Sequence, residues 1–348
     1  MGSRPRISAW PRKPFSEVSS SSSFTFVTLT QFSIRETWDE PKKVEFPNHV
    51  KLTSASASGV VSSAIDSNGS VWVWGNSKRG QLGLGEGVIA SLLPSKIEAL
   101  GGESMKKVSF GWGHALALSD NGKLFGWGYA ADGRIGGIGG SIVSPLESLH
   151  RSSSDEEMPI VWNPFPVEDF DGIEVQDIAC GLDHSLILCG NGTIYSSGSN
   201  IYGQLGRESR EIGFFLVDRK SVKGKSVAAG LGHSLAICEG KKRGDLSVVS
   251  WGWNGRGQLG RGGAEGVVSE VEVLAGKSAA MVAGGRVHSM AVISKEEVWV
   301  WGCGKNGRLG LGNPIDEPDP VLLDCMASYH VLQSVAGFDH SLLLVTQR

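Results

Sequence analysis

No stretch of this chain offers the roughly 20 consecutive apolar residues that a membrane-spanning helix needs, so nothing in it reads as a bilayer span. An excess of charge is lacking too. Lys plus Arg number 33 against 36 Asp plus Glu, a net charge of −3. The chain as a whole therefore exerts no long-range pull on nucleic acid or anionic membrane, and contact with either needs a local patch. Cysteine is scarce. Cys180, Cys189, Cys238, Cys303 and Cys325 are odd in number and without C-x-x-C spacing, which argues against a disulfide framework or a zinc site and fits a reducing compartment. Nucleotide-binding devices are missing as well. Gly302-Cys303-Gly304-Lys305-Asn306-Gly307 spells G-x-G-x-x-G, but glycines and Pro314 follow where a helix should open. Gly224-Lys225-Ser226 and Gly276-Lys277-Ser278 look like the end of a phosphate loop, yet Arg219 and Val271 stand where its first glycine is required. No cofactor and no small-molecule substrate is expected.

What the chain has in plenty is glycine, 49 in 348 residues, and it recurs in a pattern. The stretch Gly111 to Gly128, GWGHALALSDNGKLFGWG, joins a glycine turn carrying His114, an apolar strand, an Asn121-Gly122 hairpin turn and a second apolar strand closing on Trp127-Gly128. Asn-Gly is the strongest short hairpin signal because a type I′ turn needs positive φ at both central residues. Both strands are apolar at successive positions, so both faces of the sheet must be covered. The G-x-x-H turn returns with His184, His233, His288 and His340, spaced 70, 49, 55 and 52 residues apart counting from His114. The Trp-Gly returns at Trp74, Trp251 and Trp301 and becomes Ser197-Gly198 in the third unit. A glycine loop follows each: GQLG from Gly80, Gly203 and Gly257, GRLG from Gly307 and GRIG from Gly133. A period near fifty with about four short strands per unit implies an all-β fold, a β-propeller whose sheets lie between neighbouring sheets around a ring.

The combination G-x-x-H, then Asp/Asn-Gly, then W-G-x-N-x-x-G-Q-L-G resembles the repeat of the regulator of chromosome condensation family. The resemblance covers about residues 41 to 345. It implies a propeller of seven-bladed type, whereas the count here gives about six four-stranded blades, or an incomplete seven. Five units are complete, the first with Val61 in place of histidine, and a sixth shows only its first half, Val335 to Val345. Closure then falls to strands near the N-terminus, Pro41 to Phe46 and Phe24 to Phe32. The propeller domain is expected over 36–348, with a long loop insertion at 137–166 carrying Ser152, Ser153 and Ser154 ahead of three acids as a phosphorylation candidate. Residues 1–35, with Arg4, Arg6, Arg12 and Lys13 and a serine run at 19–23, read as a disordered basic tail or a transit-like segment.

One histidine per unit at one position predicts a structural imidazole at a tight turn, and no second ligand lies near any of them, so no metal is expected. His-Ser pairs such as His184-Ser185 put neighbours on opposite faces of a strand and make no nucleophile-base pair. With a structural framework, specificity falls to the two middle positions of each G-x-x-H turn, and Trp112, Asp183, Arg286 and Asp339 are the candidates for contact with a protein partner. The resemblance implies three roles. The first is a non-enzymatic interaction scaffold in nucleus or cytoplasm, or in mitochondrion or chloroplast if the N-terminus is a transit signal. The second is guanine nucleotide exchange on a Ran-type small GTPase, with a weak chromatin contact through the basic tail. The third is UV-B photoreception, which in that family relies on G-W-R-H-T turns; here only Trp112 matches and Gly113 replaces the arginine.

Overall fold

A computed structural model describes residues 27–28, 42–47, 50–137, 159–170, 172–208, 211–217, 223–240, 244–294 and 297–347. The strands form five four-stranded antiparallel sheets in succession, then a two-stranded sixth, the sequential hairpin order of a propeller. The first sheet comprises Leu52–Ala57, Val61–Asp66, Val71–Asn76 and Ala90–Lys96. The second comprises Met105–Phe110, His114–Ser119, Leu124–Tyr129 and Ile160–Pro166. The third, fourth and fifth begin at Val175–Cys180, Gly224–Ala229 and Ala279–Gly284. The sixth is Tyr329–Ala336 paired with Ser341–Gln347.

Successive apolar residues on the second strands predicted burial on both faces, and Val61–Asp66, His114–Ser119, His184–Cys189 and His288–Ile293 are buried at every position. The core is accordingly a series of five clusters, each filling the seam between one sheet and the next. The first strand of every sheet carries a register shift at the same place, as at Met105/Lys107 and Ala279/Met281. Such a bulge raises the local twist that a radial sheet needs.

Two expectations are corrected. The stretch 137–166 is not all loop: Ile160–Pro166 is the outer strand of the second sheet, paired with Leu124–Tyr129 across an irregularity between Val161 and Phe165. Pro164 and Pro166 disguised it, although an edge strand tolerates proline because its outward N–H is not needed. Ser152, Ser153 and Ser154 lie outside the described residues. The N-terminal strands also pair differently. Val27–Thr28 and Lys42–Lys43 pair with each other, and among the described residues no ladder joins them to the sixth sheet. Phe46 packs edge-on against Trp72 and Trp74 of the first sheet, with ring centroids 6.0 and 5.7 Å apart.

Candidate partner-binding face

Each G-x-x-H turn links the first strand of a sheet to its second, and the glycine is forced. A Cβ on Gly111 would lie 2.2 Å from His114 Cε1 and 2.5 Å from the Gly181 carbonyl oxygen. The imidazole folds beneath its own turn while the next turn closes in from the side. Backbone bonds then run from turn to turn. Trp112 N–H donates to Leu182 O, Leu182 to Leu231 O, Leu231 to Gly285 O and Arg286 to Gly337 O, at 3.0–3.3 Å. The turn tips of the second to sixth sheets thus form one arc of fixed spacing.

Beneath the arc the histidines staple neighbouring sheets. His114 Nε2 meets Ser185 Oγ at 2.9 Å, His184 meets Ser234, His233 meets Ser289, and His288 meets Ser341 at 3.0 Å. Each serine donates its own proton to a glycine-loop carbonyl: Ser185 to Arg134, Ser234 to Gln204, Ser289 to Gln258 and Ser341 to Arg308. Nε2 must therefore be the protonated donor, leaving Nδ1 unpartnered. Burial drives all four imidazoles toward neutrality. His184 and His233 fall to about 3 and His288 to about 4, with the Arg134 and Arg308 charges adding to the effect at His184 and His288, and His114 is lowered in the same direction by burial and Arg134. The His-Ser contact exists, but between sheets. It has no nucleophilic use, because the serine proton is already committed and the imidazoles are buried. Among the described residues no cluster of three or more His, Cys, Asp or Glu could hold a metal.

The candidates at the tips fall into two groups. Asp183 is ion-paired to Arg134, and Asp339 to Arg308 at 2.9 Å. Both arginines sit in glycine loops and only 3% of each side chain is exposed. The chain follows a rule here: where the loop reads GRIG or GRLG, the third residue of the next turn is Asp, and where it reads GQLG, that residue is Gly113, Gly232 or Val287. A buried guanidinium needs an acid and a buried amide does not. Gln81 instead bonds Ser77 and the Gly111 carbonyl. This pairing was present in the sequence as a correlation between loop and turn that no single motif displays.

Trp112 and Arg286 form the second group, joined through Phe338. Arg79 lies over the Trp112 ring at 5.8 Å, Trp112 stacks on Phe338 at 5.8 Å and 27°, and Arg286 lies over Phe338 at 4.5 Å. Trp112 and Phe338 each remain 39% exposed. The result is a row of cation, two aromatic rings and cation across the turn face. Arg79 and Phe338 were not among the candidates, and only the convergence of distant turns reveals them.

Comparison with known proteins agrees with this architecture. The chain is 31% identical over 269 residues to the ultraviolet-B receptor UVR8 of Arabidopsis thaliana, covering 76% of this chain and 56% of the receptor. It is 30% identical over 291 residues to the human E3 ubiquitin-protein ligase HERC2, covering 80% of this chain and 6% of the ligase. It therefore spans about half of one relative and a small part of the other. Among solved structures, human WBSCR16 aligns with a TM-score of 0.72 at 22% identity over 88% of this chain and 76% of that one. Prp20p of Saccharomyces cerevisiae aligns at 0.57 and 18% over 92% and 88%. Residues 21–343 match the RCC1-like domain, and the chain belongs to that family.

Proposed function

We propose that this propeller is a non-catalytic interaction module that engages a protein partner through the face made by its G-x-x-H turn tips. The observation that carries the reading is the row Arg79, Trp112, Phe338 and Arg286, in which Trp112, Phe338 and Arg286 are exposed on hydrogen-bonded turns and the half-buried Arg79 reaches Trp112 from the first glycine loop. Aromatic and arginine side chains on a rigid frame are the residues that dominate protein interfaces. To test it, a photo-crosslinking benzoyl-phenylalanine replaces Phe338 in the full chain, and the same group replaces Asn121 at a hairpin on the opposite end of the second sheet. A partner captured from Phe338 and not from Asn121 supports the face; equal capture from both, or none from Phe338, counts against it.

Guanine nucleotide exchange is the second reading. It draws on the likeness to Prp20p, a protein studied for binding to Gsp1p and histones, and on the acids Asp183 and Asp339. Both acids already neutralise buried arginines, so they are poorly free to act on a GTPase, and the scaffold ranks first. Accelerated nucleotide release from a Ran-type GTPase would reverse that order. Photoreception ranks last, because Gly113 occupies the arginine position of the photosensory turn. For location, relatives include RUG3 of Arabidopsis thaliana, a mitochondrial protein 25% identical to this chain; nucleus or cytoplasm remains the first assignment, and import with cleavage near residue 35 would replace it.

A further inference from the structure

A cleft of about 400 Å³ opens on the turn face between the fourth, fifth and sixth sheets, walled by Tyr202 and Trp253 and by Arg286, Lys305, Arg308 and Asp339. Tyr202 and Trp253 lie with ring centroids 5.5 Å apart and planes tilted by 32°, giving one aromatic side. The opposite side is cationic, and the second sheet supplies an internal control for how much. There Arg134 faces two acids, Asp132 at 3.0 Å and Asp183. Arg308 occupies the equivalent loop position, but Asn306 replaces the acid corresponding to Asp132. Its one carboxylate, Asp339, is shared with Arg286 at 3.8 Å. Two guanidinium groups therefore share one acid where one guanidinium has two. Arg308 Nε donates to the Lys305 carbonyl at 2.8 Å, and among the described residues its Nη1 and the neighbouring Asp339 Oδ1 are both buried without a hydrogen-bond partner. Lys305 is exposed and makes no ion pair among the described residues. Arg256, also on the cleft, already has Asp316 at 3.3 Å.

Arg308 is closed off by its pairing with Asp339, so the open charge of the cleft is that of Arg286, which only shares that acid, and of Lys305. The cleft has room for a side chain or two and lacks the extended basic track that nucleic acid requires. We propose that it takes an acidic segment of a partner protein, with carboxylates on the exposed Arg286 and Lys305, the buried Arg308 charge behind them, and an apolar side chain against Tyr202 and Trp253. This rests on the turn-face reading and names the chemistry of the partner.

The test is fluorescence anisotropy of the full chain with a fluorescein-labelled Asp-Asp-Phe-Asp-Asp peptide, its Asn-Asn-Phe-Asn-Asn counterpart and a labelled 12-base-pair DNA duplex. The acidic peptide binds, weakens with salt and outcompetes the other two probes. Arg286→Gln and Lys305→Gln, both at exposed positions, each lower its affinity by about tenfold, the scale of a lost charge-assisted contact. Asn306→Asp restores the arrangement of the second sheet and abolishes binding without lowering the thermal midpoint. The backbone accepts this change, since Asn306 sits at φ 64° and Asp132 at φ 58°. Failure of the acidic peptide, equal binding of both peptides, tighter binding of DNA, or indifference to Asn306→Asp would each overturn the proposal. If the peptide fails while the crosslinker at Phe338 still captures a partner, the face stands and only the acidic chemistry falls.

Discussion

Val61 and Ala115 are complementary losses at a single seam. Val61 stands where the later turns have histidine, Ala115 stands where they have serine, and both lie in the apolar cluster shared by the first and second sheets. At the other four seams the pair is a hydrogen-bonded His and Ser. Polar and apolar versions of the staple are thus each self-consistent, and a mixed one is not. Val61→His alone buries an imidazole without its partner and is expected to cost about 1–3 kcal/mol. Adding Ala115→Ser supplies the acceptor, and the Gln81 carbonyl can take the serine proton as the Gln204 carbonyl does from Ser234. A double-mutant cycle read by urea unfolding should give a favourable coupling of about 1 kcal/mol or more. Additivity would refute the staple.

Asp183 offers a parallel case with charge. Asp183→Gly leaves Arg134 buried with Asp132 alone, and a loss of about 1–3 kcal/mol is expected, below the full cost of stranding a buried charge because Asp183 is itself 36% exposed. Arg134→Gln in the same chain recreates the Gln-Gly combination found between Gln81 and Gly113 and should recover most of the loss. A double variant no better than the single one would mean that the loop-turn correlation has no energetic basis. An exchange assay on Asp183→Ala would therefore report on stability as well as contact.

These seams show how much of the molecule was readable beforehand. The all-β propeller, its sheet count and the buried second strands follow from periodicity and from Asn-Gly turns, both of which are local. The recurrence of the histidines was readable from their spacing; four of them are buried at the seams, whereas His340 is exposed. Their partners were not readable, since Ser185 lies 71 residues from His114 and strand alternation only says that a residue's neighbour points elsewhere. Among the partner-binding candidates, Asp183 and Asp339 looked free because the arginines that hold them come from the preceding unit. Trp112 and Arg286 looked isolated because Phe338 joins them only when the turns converge. The strand Ile160–Pro166 was hidden by its prolines and by the long stretch before it.

Trp74 isolates one hydrogen bond. The indole N–H of Trp127, Trp251 and Trp301 donates to the carbonyl of Gln81, Gln204 or Gln258 at 2.8–2.9 Å. Trp74, equally buried, has no partner for its Nε1 among the described residues, and Phe46 packs beside it. Trp74→Phe removes an unsatisfied donor and some apolar area, so it should cost less than Trp127→Phe, Trp251→Phe or Trp301→Phe by about 1–2 kcal/mol. Equal thermal and denaturant midpoints across the four variants would show that the first sheet's indole has found a partner in solution.

Acid should unfold this protein through its histidines. In the unfolded chain an imidazole protonates near 6.5, whereas burial holds His184 and His233 at about 3 and His288 at about 4 in the fold, with His114 lowered in the same direction. The unfolded state therefore binds more protons throughout the interval between these values. Stability is complete above about 6.5 and falls as pH drops toward the folded pKa values, by about 1.4 kcal/mol per histidine per pH unit. Arg134 beside His114 and His184, and Arg308 beside His288, oppose protonation and widen the interval. Carboxylates held low, such as Asp66 and Asp316, begin to contribute only near and below about pH 4. With four such groups, an ordinary stability of about 5–15 kcal/mol is exhausted within a few pH units. Urea midpoints measured from pH 7.5 to 4.5 should decline steeply below 6.5, and His233→Asn, less stable at pH 7.5, should decline more gently. A flat profile between pH 6.5 and 5 would mean that the imidazoles are already charged in the fold, which the serine-to-carbonyl bonds allow sterically but the buried seams oppose.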